Sequence, residues 1–408
     1  MHAIHQAGLA LEAEPKLLRL SLIAPWSFTR ALFLLAVISL SHQSVVAMNG
    51  HFLDVGGVKL WYEDCGTQNK TSVVLLHDGL VHSITWDGIW APLCAKYHVL
   101  RFDRRGYGES EPAKTAFVPE DDLYQVMRQV RMGRAIIVGN SSGGGLALDF
   151  ALAHPEMVEA LFLIGPVVHG MPSSNYFTER GNKNSEPLAR NDTRAAAENW
   201  SKDRFLIAGP DPQARKRLFE ALEHNPQNLK VNGGMEIRPI PPTVTRLSQI
   251  HAPTLVLVGD ADIADVFAYS GAIEAALPVV SFEVWPDTGH LIQLQKPKEL
   301  VNRFNQFVSL AERPEVALTD AQLSIYVGQY KVFNRSAQLV LVDHHLVFEI
   351  PDEPYYWLFA ASGTQFFLRT EKTEIEFAKS QAGNVSEMIV HNSDGSVIHC
   401  PRESRGAP

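Results

Sequence analysis

Cysteine is scarce in this chain of 408 residues, which contains only Cys65, Cys94 and Cys400. The three lie far apart, they are odd in number, and no two of them form a C-x-x-C pair. A disulfide framework or a zinc site is therefore not expected. A single disulfide is left open, because the spacing does not tell which thiols meet in space.

Long clusters of positive charge are also missing. The chain has 36 Lys and Arg residues against 45 Asp and Glu residues, a formal net charge of -9. No basic stripe is present that could neutralise nucleic-acid phosphates, so no nucleic-acid partner is expected. Hydrophobic residues make up 46% and charged residues 20% of the chain. That composition is typical of a globular protein, and the length suggests more than one domain.

The N-terminal apolar run is too short to span a bilayer comfortably. Ala31–Leu40 has 10 residues, whereas a membrane-spanning helix needs about 20, so no stable membrane span is expected. Arg30 precedes the run and Val45–Ala47 follows it, a pattern typical of a secretory signal. We therefore expect residues 1–47 to form a leader and the protein to be secreted or periplasmic. The alternative is that Met48 is the true start and the protein is cytoplasmic.

Short apolar runs alternate with helical patterns after the leader. Continuous apolar runs suit strands that are buried on both faces of a parallel sheet, and the alternation favours an α/β fold with a doubly wound, mostly parallel sheet. The predicted strands are His51–Val55, Lys59–Asp64, Ser72–Leu76, Val99–Phe102, Ala135–Val138, Leu161–Ile164, Thr254–Val258 and Phe282–Trp285. The predicted helices are Ile84–Lys96, Glu120–Met132, Gly144–His154 and Phe267–Ala276.

Two segments depart from this alternation. Residues 166–250 are polar, with helical patches at Ala195–Trp200 and Gln213–Leu222, and we interpret them as a helical cap inserted between two strands. From Leu318 onwards, short strand patterns are separated by turn signals, which favours a small all-β barrel. The predicted domains are a catalytic domain over 48–312 and a barrel over 318–408. The predicted barrel strands are Ser324–Val332, Gln338–Val342, His345–Ile350, Tyr355–Phe359, Gln365–Arg369, Thr373–Lys379, Ser386–His391 and Ser396–Cys400.

The strongest chemical motif is V-G-N-S-S-G-G over residues 138–144. It follows a predicted strand and precedes a predicted helix, the context in which a G-x-S-x-G turn exposes a nucleophilic serine. The turn needs small residues two positions before and after the nucleophile, and Gly139 and Gly143 supply them for Ser141. Ser142 is the weaker candidate, because Asn140 would occupy the earlier position. The alternative is a glycine-rich turn without chemistry or one that binds phosphate.

A serine nucleophile needs a base and an acid that orients the base. Asp262 follows a buried strand in the sequence G-D-A-D, and His290 follows the next strand in D-T-G-H. Loops at the carboxyl ends of neighbouring parallel strands converge, so we predict that both join Ser141. Asp260 lies directly against the strand end and Asp265 lies further on, so both are weaker candidates for the acid.

Backbone N–H groups should supply the oxyanion hole. One is expected from Ser142, at the start of the helix after the nucleophile. The other should come from the loop after His77, where we favour Gly79 over Leu80. His77, Asp78 and His82 could instead form a metal cluster, but no further ligand spacing supports it. No cofactor and no metal are expected.

Residues 51 to about 310 resemble the α/β-hydrolase superfamily. The resemblance implies a Ser-His-Asp hydrolase with a helical cap, and it implies a structural role for the loop Asp103–Ser110. A serine at the elbow differs from the aspartate of dehalogenase and epoxide-hydrolase relatives. One departure is Asp78, which follows the loop histidine where many relatives have glycine. The matching motifs are His77–Gly79, Asp103–Ser110, Gly139–Gly143, Gly259–Asp262 and Gly289–His290.

The C-terminal segment resembles the lipocalin-like barrel that is appended to some serine hydrolases. The matching stretch is Leu318–Tyr330, followed by the series of short strands. The resemblance allows an apolar ligand inside the barrel, although a packed interior with a packing or partner role is the favoured interpretation.

The leading functional prediction is hydrolysis of a small carboxylic ester or related acyl substrate. Ser141 would attack, His290 would transfer the proton and Asp262 would hold the imidazole tautomer, through an acyl-enzyme. Two alternatives stay open: carbon-carbon bond hydrolysis or perhydrolysis on the same three residues, and a ligand receptor with little turnover.

Overall fold

The computed structural model describes residues 50–231 and 233–403. The leader predicted over residues 1–47 lies outside this part of the chain. Within the described residues, no helix has the length and apolar character needed to cross a membrane. Two eight-stranded sheets fall within one compact unit.

The first sheet is mostly parallel and has the strand order β1-β2-β4-β3-β5-β6-β7-β8. Only the pairs β1·β2 and β2·β4 are antiparallel. All eight strands predicted for this sheet are present, and most extend by one to three residues beyond the predicted apolar runs. The strands are β1 His51–Val55, β2 Val58–Cys65, β3 Ser72–Leu76, β4 His98–Phe102, β5 Ala135–Asn140, β6 Val158–Ile164, β7 Thr254–Gly259 and β8 Val280–Trp285.

Helices cover both faces of this sheet because alternate residues of its central strands point to opposite sides. In β3, Val74 and Leu76 join the apolar cluster formed with the helices α2 (Pro119–Gln129), α3 (Ser142–Ala153) and α7 (Ala264–Ala276). Val73 and Leu75 join the cluster on the other face, formed with the helices α1 (Asp87–Cys94) and α9 (Pro297–Ala311). The short helix α8 (Ile292–Gln295) precedes α9.

The inserted segment contains the helices α4 Asn175–Ser185, α5 Thr193–Ser201 and α6 Pro212–His224. The two predicted helical patches correspond to α5 and α6. The helix α4 was not predicted, and it has no fully buried residue. A helix without an apolar stripe gives the sequence no helical periodicity to detect.

The second sheet is antiparallel and has the strands in the order β16 to β9. Its two ends meet through a bridge between Tyr330 and Arg402, which nearly closes a barrel. The predicted first strand was wrong at its start, because Ser324 ends the short helix α10 Asp320–Ser324, which a Thr319–Gln322 capping box begins. The strands are β9 Gly328–Val332, β10 Arg335–Val342, β11 His345–Glu349, β12 Tyr356–Ala360, β13 Gln365–Phe367, β14 Glu374–Lys379, β15 Val385–His391 and β16 Val397–Pro401.

The barrel interior holds both packed side chains and a cavity. Tyr326, Tyr330 and Phe366 are fully buried in its core. Beside this core lies a cavity of about 210 Å³, lined mainly by apolar side chains such as Ile375 and Met388.

The single disulfide that the sequence left open joins Cys65 to Cys94. It connects the end of β2 to the end of α1, with a Cα–Cα distance of 5.4 Å. Cys400 is a free thiol buried in the barrel, and burial raises its pKa to about 11.

Candidate active site

Ser141 lies at the tight turn between β5 and α3. Its backbone has φ 56° and ψ −119°, a conformation that non-glycine residues rarely adopt. A Cβ on Gly139 would lie 2.5 Å from the Gly143 carbonyl oxygen, and one on Gly143 would lie 2.3 Å from the Leu76 carbonyl oxygen. Both positions therefore require glycine, as the motif predicts for a serine at 141.

Asp262 and His290 lie in the loops that follow β7 and β8. His290 Nδ1 is 2.7 Å from Asp262 Oδ2, and the second carboxylate oxygen of Asp262 accepts the Ile263 N–H at 2.7 Å. The side chains are 11% and 1% exposed, respectively. This geometry places the Nδ1 proton towards Asp262 and leaves Nε2 as the proton acceptor.

The other two acidic candidates lie elsewhere. Asp260 is exposed and accepts the Thr288 N–H at 3.1 Å. Asp265 accepts hydrogen bonds from the backbone N–H and the hydroxyl of Ser174, the residue that caps α4. Asp265 therefore ties the cap to the core.

The pKa of His290 is raised above its ordinary value. Burial alone would lower the pKa, but the Asp262 carboxylate opposes this by charge and by its hydrogen bond, and Asp78 adds to the effect. Arg180 acts in the opposite direction. His290 therefore loses its proton at a higher pH than an ordinary histidine does.

The serine turn and the histidine loop are adjacent in space. The Ser141 N–H donates to the Ile164 carbonyl at 2.9 Å, and a Cβ on the next residue, Gly165, would lie 2.8 Å from His290 Nδ1. Asn140 Nδ2 also donates to the His290 carbonyl at 3.3 Å. Among the hydrogen bonds of the described residues, none joins the Ser141 hydroxyl to the imidazole.

The predicted oxyanion residues Gly79 and Ser142 are also neighbours. A Cβ on Gly79 would lie 3.1 Å from Ser142 Oγ. The Leu80 N–H, the alternative donor, is occupied, because Asp78 Oδ1 accepts it at 2.6 Å. In the described part of the chain, the N–H groups of Gly79 and Ser142 form no hydrogen bond to another residue, which favours Gly79 over Leu80.

Both ring nitrogens of His77 form hydrogen bonds to backbone groups. Its Nδ1 lies 2.7 Å from the Asp78 carbonyl oxygen, and its Nε2 accepts the Arg104 N–H at 3.0 Å. His82 lies 3.0 Å from Asn228 Nδ2. No group of three or more potential ligands able to hold a metal ion occurs among residues 50–231 and 233–403.

Part of the cap lies directly on the histidine loop. The His290 N–H donates to the Phe205 carbonyl at 2.7 Å, and the Leu291 N–H donates to the Leu206 carbonyl at 3.0 Å. Asp203 holds this cap loop by accepting the Phe205 N–H at 2.8 Å and Arg180 Nε at 2.7 Å.

Arg104 and the pair formed by Asp149 and His169 were not predicted from the sequence. Arg104 was assigned to a structural loop, but its Nη2 atom reaches the Asp78 carbonyl oxygen and Ser142 Oγ. Asp149 is buried on α3 and bonds to His169 Nδ1 and to the Thr243 hydroxyl. An aspartate inside the apolar stretch L-A-L-D-F was a signal that could have been followed, since buried carboxylates need partners.

A family model described as "Alpha/beta hydrolase family" matches residues 73–303. The chain is 26% identical over 256 residues to the pimeloyl-[acyl-carrier protein] methyl ester esterase of Nitrosomonas europaea, covering 59% of this chain and 96% of that protein. It is 28% identical over 281 residues to the 2-hydroxy-6-oxononadienedioate/2-hydroxy-6-oxononatrienedioate hydrolase of Klebsiella pneumoniae, covering 64% and 95%. A thermophilic esterase from Thermogutta terrifontis has a similar structure, with a TM-score of 0.54, 23% identity, and coverage of 65% of this chain and 99% of the esterase.

Proposed function

Because the chain belongs to the alpha/beta hydrolase family, we propose that it hydrolyses small carboxylic esters or related acyl substrates with Ser141 as the nucleophile. The chain is a hydrolase, as its relatives are named esterases and hydrolases. In this proposal His290 is the base, Asp262 orients it, and the Gly79 and Ser142 N–H groups form the oxyanion hole.

In the first step, Ser141 Oγ forms a bond to the acyl carbon while its proton passes to His290 Nε2. The carbonyl π electrons move to the oxygen, which the two N–H groups stabilise. Collapse of this intermediate breaks the bond to the leaving group, which takes the proton from His290. A water molecule then attacks the acyl carbon while His290 takes its proton. Collapse of the second intermediate breaks the bond to Ser141 Oγ, which takes the proton back from His290 as the acid is released.

The observation that carries the proposal is the 2.7 Å contact between His290 Nδ1 and Asp262 Oδ2 beside the serine turn. A buried histidine paired in this way has one nitrogen available as a base. Ser141 lies in the neighbouring turn and has the strained backbone that is typical of a nucleophilic serine in a G-x-S-x-G turn.

Carbon-carbon bond hydrolysis is the second candidate. It is favoured by several relatives at 24–28% identity whose names specify 2-hydroxy-6-oxo dienoate substrates. The same three residues would serve both reactions. Parallel assays of short-chain esters and a 2-hydroxy-6-oxodienoate would rank the two activities by kcat/KM.

Ser141→Ala tests the proposal. We expect kcat on a p-nitrophenyl ester to fall by a factor on the order of 10⁴ to 10⁶ with the fold retained, because the residues of such a unit act together. Ser142→Ala is the matched control: it retains the N–H of the oxyanion hole and removes only the hydroxyl that Arg104 Nη2 binds, so we expect kcat to fall by at most about tenfold, far less than in Ser141→Ala. Turnover that survives Ser141→Ala and is lost in Ser142→Ala would refute the assignment.

The proposal includes export of the chain. The Cys65–Cys94 disulfide supports it, because disulfides persist mainly in oxidising compartments. N-terminal sequencing of protein recovered outside the cytoplasm should find a start near Met48. Two roles stay open for the barrel: it binds an apolar ligand in its interior, or it has a packing or partner role. The 210 Å³ cavity supports the first, since an apolar cavity of about 150 Å³ can hold benzene.

A further inference from the structure

The carbonyl oxygen of Asp78 accepts two side-chain hydrogen bonds. His77 Nδ1 and Arg104 Nη2 each lie 2.7 Å from it. His77 donates from Nδ1 because its Nε2 already accepts the Arg104 backbone N–H at 3.0 Å. Burial, followed by the charge of Arg104, holds the pKa of His77 well below its ordinary value, so the ring is neutral. The charged donor at this carbonyl is therefore Arg104.

This carbonyl belongs to the same peptide unit as the Gly79 N–H. A hydrogen bond accepted by an amide oxygen polarises the amide and strengthens the bond that its N–H donates. A charged donor polarises the amide more than a neutral donor does. The strength of the Gly79 N–H as a donor is therefore linked to Arg104, although the guanidinium lies on the opposite side of the peptide.

No carboxylate among the described residues neutralises the charge of Arg104, unlike that of the next residue. Its neighbour Arg105 forms a buried ion pair with Asp122, with N···O distances of 2.6 and 2.7 Å. Among the described residues, no carboxylate forms an ion pair with Arg104. Its Nη2 instead spans the Asp78 carbonyl and Ser142 Oγ, at 2.7 and 2.8 Å. The guanidinium thus joins the two segments that carry the proposed oxyanion donors.

We infer that Arg104 is a positioning residue that strengthens the oxyanion hole by polarising the Asp78–Gly79 peptide and by fixing it against Ser142. The inference rests on the proposed function, because it assigns the Gly79 N–H to the developing oxyanion. It adds a residue from a loop to which the family resemblance gives only a structural role.

Tyr107 provides a matched control. Its hydroxyl donates to the Gly79 carbonyl at 3.0 Å and holds the same loop. That carbonyl belongs to the next peptide, whose N–H is on Leu80 and is bound by Asp78 Oδ1. Loss of this bond would also loosen the loop, but it would not change the polarisation of the Gly79 N–H.

The test compares Arg104→Met, Arg104→Lys and Tyr107→Phe in the full chain. We expect Arg104→Met to lower kcat on p-nitrophenyl acetate about tenfold, less than the 10² to 10³ that loss of a whole donor costs, with KM changed less than twofold. Arg104→Lys should recover part of the loss, because it restores a charged donor. Tyr107→Phe should lose less than threefold.

An inhibitor that forms an oxyanion distinguishes a weaker oxyanion hole from weaker substrate binding. A short alkyl trifluoromethyl ketone forms a tetrahedral adduct with Ser141, and its inhibition constant should weaken in Arg104→Met by the same factor as kcat. A loss confined to KM, an equal loss in Tyr107→Phe, or full activity in a folded Arg104→Met would each overturn the inference. If circular dichroism shows that Arg104→Met does not fold, kcat of Arg104→Lys is compared with kcat of Arg104→Gln. The inference predicts the larger loss in Arg104→Gln, which lacks the charge. Turnover that persists in Ser141→Ala would instead refute the proposed function.

Discussion

Single residues account for much of the geometry of the site. The positive φ of Ser141 costs on the order of 1–3 kcal/mol for a non-glycine residue. It persists because glycines at 139 and 143 let β3, β5 and α3 approach closely enough to hold the turn. At the other side of the site, Asp78 has one carboxylate oxygen bound by two N–H groups and the other buried without a partner. The charge of this carboxylate contributes to the raised pKa of His290.

The pH dependence of turnover should report on His290 and Asp78. Activity needs neutral His290, so kcat/KM should rise with pH through a pKa above 6.5 and be lost as the pH falls below it. Asp78 contributes to the raised pKa of His290 by its charge. We expect Asp78→Asn to shift the acid limb of the kcat/KM profile to lower pH, because it removes a negative charge that favours the protonated imidazole.

Asp260→Asn is the control for this prediction. It changes an exposed carboxylate on the same loop as Asp262, and the asparagine oxygen can still accept the Thr288 N–H. Its acid limb should coincide with that of the unmodified protein. An unchanged limb in Asp78→Asn would show that Asp78 exerts no charge on His290 in this pH range, and it would contradict the prediction.

At the scale of elements, α2 begins with a buried acid. Glu120 lies in the first turn of α2, where a carboxylate normally stabilises a helix. Here burial raises its pKa to about 7, with further contributions from Asp149 and Asp121, and its Oε2 has no hydrogen-bond partner. Because the folded state holds the proton more tightly than the unfolded state, stability falls as the pH rises from about 4.5 to 7.

Glu120→Gln should therefore stabilise the protein at high pH. The gain in unfolding free energy should be on the order of 2 kcal/mol at pH 8 and should become small near pH 5, because glutamine never ionises. Chemical denaturation at several pH values measures it. Asp121→Asn removes one charge beside Glu120 but leaves the buried carboxyl in place, so its gain at pH 8 should be smaller. A gain that is equal at both pH values would contradict the assigned cause.

The elements also show which features the sequence could predict. Buried strands were found because both faces of β3 to β7 are covered, which gives continuous apolar runs. Asp262 and His290 were predicted to lie together because each follows a strand of the parallel sheet, and the structure brings their side chains within 2.7 Å. Arg104 was missed because two consecutive arginines look alike in sequence, yet one turns to Asp122 and the other to the Asp78 carbonyl. Only the packed loop distinguishes them, and the same is true of the cysteine pairing.

At the scale of the whole molecule, the barrel packs at the end of the catalytic sheet that lies away from the site. Val279, before the start of β8, joins Phe359 and Phe367 of the barrel in a small apolar cluster. Ser281 Oγ donates to Glu371 Oε1 at 2.8 Å and lies 2.7 Å from the Thr370 hydroxyl. Asp262 and His290 instead follow the carboxyl ends of β7 and β8.

A chain spanning residues 48–315 should therefore keep its esterase activity. We expect its kcat on a p-nitrophenyl ester to stay within about threefold of the full chain, because the proposed catalytic residues remain, and its Tm to fall, because the contacts of Val279 and Ser281 are lost. Circular dichroism and ester turnover of the two chains provide the measurement. A soluble, folded shortened chain without turnover would show that the barrel contributes to the site.

The disulfide gives the molecule a covalent ring. Cys65 and Cys94 are separated by 29 positions, and the polypeptide between them contains β3 and the turn with Gly79. A single peptide-bond break inside the ring leaves both fragments joined, with one cut end still anchored by β2 and the other by α1. For a protein that works among extracellular proteases, as the proposed export implies, the segment that carries the oxyanion donor could be nicked without being shed.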